Sequence, residues 1–174
     1  MEEFFRQLYR GLFIMSSIER ADWHYESAEE EYRKEKNLSD DSPLTDAEVN
    51  EIYRCASNHI GLFMNWLIDN DFIGEENKED VEAIEAVKNG TMLGVDYFLN
   101  YCDGKFWSCD VREDILPFVD KYFQEQDTCY HADYGKWFDK RYGEGKIYTV
   151  VSSREDYLSF KPIIDSAYKK FKEK

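Results

Sequence analysis

The chain is poor in the residues and motifs that most often reveal an activity. Its 174 residues include three His, nine Gly, three Pro and four Cys. There is no Gly-x-Ser-x-Gly, no phosphate-cradling Gly-rich loop, no Gly-x-Gly-x-x-Gly and no His-Glu-x-x-His, so the common nucleophile, nucleotide and zinc-protease signatures are missing. Cys55, Cys102, Cys109 and Cys129 form no Cys-x-x-Cys pair. They read as reduced thiols of a cytoplasmic protein rather than a disulfide framework. No run approaches the ~20 apolar residues of a membrane helix. Glu2 and Glu3 stand where a signal peptide carries positive charge. Bases are scarce too, 22 against 37 acids for a net charge of -15. Phosphate binding needs clustered Lys and Arg, so this balance argues against a nucleic-acid ligand.

Aromatic residues are plentiful, with 13 Tyr, 12 Phe and 4 Trp. That supplies a core and argues against disorder despite the charge. The longest nearly uncharged window is Ala56 to Phe72. At helical spacing, Ile52, Ala56, His59, Ile60, Phe63, Trp66 and Leu67 share one broad face. Thr45 and Glu48 have the spacing of a capping box that would open this helix, which is expected to run over about residues 45–70. The expected fold is mainly α, a single domain over 1–174 built round that central helix, with a minor β element.

Other elements follow from local pattern. Phe4, Phe5, Leu8, Leu12 and Met15 predict an N-terminal amphipathic helix within residues 1–20, packed on the domain. Asp22 to Tyr25 reads as a short aromatic segment, followed by a charged helix to about Asn37. Further helices are expected over 77–88, 91–101, from Asp114 to about Gln126, and from Ser152 onward, where Ser152 and Glu155 suggest a cap. Pro162 should kink or divide the last one. Residues 127–145 read as an irregular aromatic loop. Ile147 to Val151 has the strongest strand composition, with Lys105–Trp107 or the Trp23 segment as its partner.

Chemistry-bearing residues are sparse. His59 lies four residues after Cys55, a spacing that fits either a thiol and its base or two metal ligands. Neither is completed nearby in sequence, and a buried neutral histidine outweighs both. His24 and His131 sit in aromatic segments beside carboxylates. A three-histidine site is conceivable, but no ligand spacing supports it, so no metal ligand and no cofactor is assigned. A second stripe, Arg54, Asn58, Gly61 and Asn65, runs opposite the apolar face. Glycine inside a helix costs up to ~1 kcal/mol relative to alanine. Gly61 therefore points to close approach of another backbone, belonging to this chain or to a ligand or partner.

Trp23-His24-Tyr25, followed by His59-Ile60-Gly61, Phe63 and Trp66, resembles the signature of a family of uncharacterised bacterial proteins with a Trp-His-Tyr motif and a His-Ile-Gly-x-Phe-x-x-Trp helix. The resemblance extends from about residue 21 to the end, through YCDGKFWSCDV and YTVVSSREDYLSF. It implies that Trp23, His24, His59 and Gly61 belong to one constellation. With Arg54, Asn58 and Asn65 they form the candidate binding residues. By analogy with small acidic immunity proteins, the expected role is non-enzymatic binding of a basic partner such as a bacterial toxin domain. A small metal-dependent or Cys/His hydrolase is the alternative, and a structural or regulatory module a third reading. Residues 19–51 hold twelve acids against four bases, and 69–85 eight against one. Those stretches would steer a basic partner, with Tyr32 or Trp107 as an anchor.

Overall fold

The computed structural model describes residues 16–124 and 129–173; the expected helix over 2–15 lies outside them. The architecture is mainly α with a minor β element. Its described elements are β1 (Ser17–Arg20), α1 (Asp22–Lys36), α2 (Asp46–Ala56), α3 (Asn58–Asp69), α4 (Val81–Asn89), α5 (Gly94–Tyr101), β2 (Lys105–Trp107), α6 (Leu116–Gln124), α7 (Tyr130–Tyr142) and α8 (Arg154–Lys172). Short 3-10 turns cover Glu76–Glu79 and Ser108–Asp110.

The structure organises itself around α3. Every residue from Asn58 to Ile68 is buried, as expected of a helix apolar on nearly all sides. It packs against α4, α5 and α8. Phe63 and Trp66 lie in an aromatic core with Phe106, Phe118, Phe123 and Tyr130. A smaller apolar cluster, Ala28, Tyr32, Ile52 and Ala56, joins α1 to α2. Tyr32 is thus buried and is no surface anchor.

The expected single helix over 45–70 is two helices. The Thr45–Glu48 capping box opens α2 as anticipated. Ser57 then leaves helical geometry, with φ -98° and ψ 3°. Backbone bonding continues on both sides of it, from Ser57 N to Tyr53 O and from Gly61 N to Ser57 O. The break sits where Ser57 and Asn58 are both buried. Asn58 donates to the Tyr134 and Ser152 hydroxyls, and its Oδ1 accepts from Ser152 N at 2.7 Å. A buried amide with all these partners is the compensation for polarity inside the core.

Several local expectations change. Ser17–Arg20 is a strand rather than part of an N-terminal helix, and its antiparallel partner is β2, the one short extended piece read at Lys105–Trp107. Asp22 to Tyr25 belongs to α1. Ile147–Val151 forms no strand. Its β-branched residues pack from an irregular segment that Asn58 and His24 hold through Ser152 and Tyr148. Residues 130–142 are the helix α7, whose Tyr130, Tyr134, Trp137 and Phe138 are buried at helical spacing. The last helix is capped by Ser153 and Asp156, one residue beyond the expected box, and Pro162 does not divide it.

Gly61 meets the backbone of α5. A β-carbon there would stand 2.5 Å from Val95 Cα and N. One on Gly94 would strike the Gly61 carbonyl and come within 2.8 Å of Asn65 Cγ. The approaching backbone belongs to this chain, so Gly61 and Asn65 lie on a helix-crossing surface. Gly61→Ala should destabilise by about 1–3 kcal/mol through overpacking. Chemical denaturation would show this as a lower midpoint at unchanged slope, whereas a midpoint equal to or above wild type would contradict the crossing.

Candidate metal centre

The site begins with an acid placed inward. Glu19 on β1 lies opposite Phe106, just past an irregular register between Ser17 and Glu19, and is 5% exposed. A hydrogen bond from Ala21 N to Gly104 O continues the pairing to the start of α1. His24 follows in the first turn of α1, His59 in the first turn of α3 and His131 in the first turn of α7. Three helix starts therefore bring an imidazole each to one carboxylate.

Glu19 divides its oxygens between two of them. Oε1 lies 3.1 Å from His24 Nε2, and Oε2 2.8 Å from His131 Nε2. Burial pushes the Glu19 carboxyl up. Hydrogen bonds from His131 and His24, with attraction to the His59 and His24 rings, outweigh it and hold the acid well below the ordinary carboxylate range. An ionised carboxylate only accepts, so both Nε2–H groups donate. In the neutral form of His24 with that tautomer, Nδ1 accepts from the Tyr148 hydroxyl at 2.9 Å.

His59 is the member without a settled place. Its ring stands edge-on to His24 with centroids 4.5 Å apart, and 5.6 Å from His131. It is 3% exposed, and its Nε2 is buried with no hydrogen-bond partner. Burial first, and then repulsion from His24, hold its pKa well below the usual value against the attraction of Glu19. The positive end of α3 disfavours a charged imidazole in the same sense. A neutral imidazole with a free ring nitrogen is the form that ligates metal. One donor atom each from Glu19, His24 and His59 lies within 4.8 Å of the others.

The remaining predicted residues separate by role. Asn58 supports the site from beneath through Tyr134, whose ring lies 5.7 Å from His59. Arg54 pairs with Asp96 on α5 at 2.8 and 3.2 Å. Gly61 and Asn65 belong to the α3–α5 crossing. Trp23 is 58% exposed and faces away from the core. A Cys–His pair is disfavoured. Burial, with Glu51 nearby, pushes the Cys55 thiol up to about 11, far from the thiolate that a nucleophile requires.

Glu19 and Tyr148 escaped the sequence reading. Glu19 is one of 37 acids, and nothing local marks it as inward, because Ser17, Ile18 and Arg20 are all half-buried and the register slips between Ser17 and Glu19. The three histidines come from separate helices, so no spacing along the chain could reveal a ligand set.

Residues 17–150 match the model of a family described as Domain of unknown function (DUF7832), and the chain belongs to that family. The match spans both the Trp23 to Tyr25 segment and α3, and it ends before α8. No curated protein and no solved structure matches the chain.

In metal-free protein the sign of the His59 effect is definite. Its folded pKa lies below its unfolded value, so the unfolded chain binds the extra proton, and stability falls as pH drops below about 6.5. The melting temperature should decline from pH 7 to pH 5, and His59→Gln should flatten that decline. An unchanged slope in the variant would contradict the buried neutral assignment.

Proposed function

We propose that this chain is a metalloprotein that holds a first-row divalent ion, of the zinc or ferrous iron class, through Glu19, His24 and His59. Two imidazoles and one carboxylate suit these ions. The observation that carries the reading is the buried, unpartnered Nε2 of His59, on a ring 4.5 Å from that of His24 in a group that also contains a charged carboxylate. A buried polar atom without a partner costs roughly 1–3 kcal/mol, and an ion bound there removes that cost. With an ion on His24 Nε2, the Nδ1–H of His24 would donate to Tyr148, the outer partner that orients ligating histidines.

Zinc offered to chelator-treated protein should bind near one equivalent and raise the melting temperature in a concentration-dependent way. Glu19→Gln and His24→Ala should each abolish this shift, while Arg54→Ala, on the far stripe, should keep it. Equal shifts in all variants, or none in wild type, would contradict the site.

A basic protein partner is a separate proposal, and immunity-type inhibition is its specific form. It is supported by exposed carboxylates at Asp22, Glu26, Glu30, Glu35, Asp40, Asp41, Asp46 and Glu51, on α1, α2 and the loop between them. Neither proposal requires the other. Among the described residues, no helix is long and apolar enough to cross a membrane.

A further inference from the structure

An ion site can be closed by a fourth protein ligand or keep a position for an outside one. This step rests on the metal reading above. The deciding residue is His131. A fourth protein ligand would close a tetrahedral site, whereas three ligands leave the position that catalytic sites give to water or substrate.

His131 meets the other oxygen of Glu19. His24 Nε2 faces Oε1 and His131 Nε2 faces Oε2, so the two imidazoles occupy opposite oxygens of one carboxylate. His131 is thereby positioned to hold the carboxylate rather than the ion. Exposure follows the same division. The side chains of Glu19 and His24 are 7% and 19% exposed, that of His131 41%, and His59 as a residue 3%. Of the four side chains His131 is the most open to solvent, while the Tyr148 hydroxyl bonds His24 and the Tyr134 ring packs on His59.

We infer that the ion held by Glu19, His24 and His59 keeps an open coordination position on the His131 side, which accepts water or a small anionic oxygen or nitrogen donor, and that His131 is a positioning residue for Glu19 rather than a ligand.

Cobalt(II) loaded into the full chain tests this, because its visible spectrum reports on coordination. Azide is the probe. Azide should shift the cobalt spectrum of wild type saturably. His131→Gln, whose amide can still donate to Glu19, should retain about one equivalent of cobalt and the azide response. His131→Ala should weaken cobalt binding about 10–100-fold, the usual effect of losing an outer-shell partner, with glutamine restoring most of the loss. A merely structural histidine would not give this rescue pattern.

If wild type binds cobalt but azide leaves the spectrum unmoved, the open position is refuted. Loss of cobalt from a folded His131→Gln variant would make His131 the fourth ligand and refute the open position equally. Should that variant fail to fold, the wild-type azide titration decides alone. Failure of wild type to bind cobalt would remove the metal reading itself, and this inference with it.

Discussion

The burial of one carboxylate constrains much of this structure. Moving a charged group out of water costs several kcal/mol even after relaxation. Glu19 is tolerated in the interior because His24 and His131 each donate to one of its oxygens. Those donors arrive on α1 and α7, so the position of Glu19 ties the two-stranded sheet to two helices. His59 adds a third imidazole from α3 and leaves one nitrogen unpartnered. Three histidines and one acid, gathered together, form a polar group inside a protein that otherwise covers α3 with apolar and aromatic side chains. That concentration distinguishes the site from the other two buried carboxylates among the described residues, Asp110 and Asp156. Both of those cap short turns or helices through backbone amides and hydroxyls.

The frame that holds this group is the crossing of α3 and α5. Glycines at 61 and 94 let the two backbones come close enough that a side chain on either would collide. The irregular residue Ser57 ends α2 and begins α3, with Asn58 beside it. Asn58 fastens the segment before α8 by bonding Ser152 on both its hydroxyl and its amide. The same segment carries Tyr148 to His24. Support for the site thus runs from a helix break, through one asparagine, to the hydroxyl that orients a candidate ligand.

Much of the frame was legible in sequence, and its causes are local. The Thr45–Glu48 cap and the apolar run of α3 follow from neighbours within a few residues, and a glycine inside that helix signals the tight approach at Gly61. What misled was composition without context. Ile147 to Val151 has strand chemistry, but β2 pairs with Ser17–Arg20, and Asn58 holds the segment in another conformation. Tyr130 to Tyr142 contains a glycine and many aromatics, which suggested a loop, but its buried residues fall at helical spacing. The site was legible only in part. His24 and His59 were singled out, yet their partner Glu19 looked like any other acid, because its role depends on a strand pairing across 87 residues, Glu19 with Phe106.

The proposed ion has one place, among Glu19, His24 and His59. Anomalous diffraction at the zinc edge from crystals grown with about one equivalent of zinc tests it most directly. A single strong anomalous peak is expected at about 2.0–2.2 Å from His24 Nε2, His59 Nε2 and a Glu19 oxygen, the usual zinc distances. A well-ordered map with His59 Nε2 still unpartnered and no peak beside it, or with zinc seated elsewhere, would contradict it.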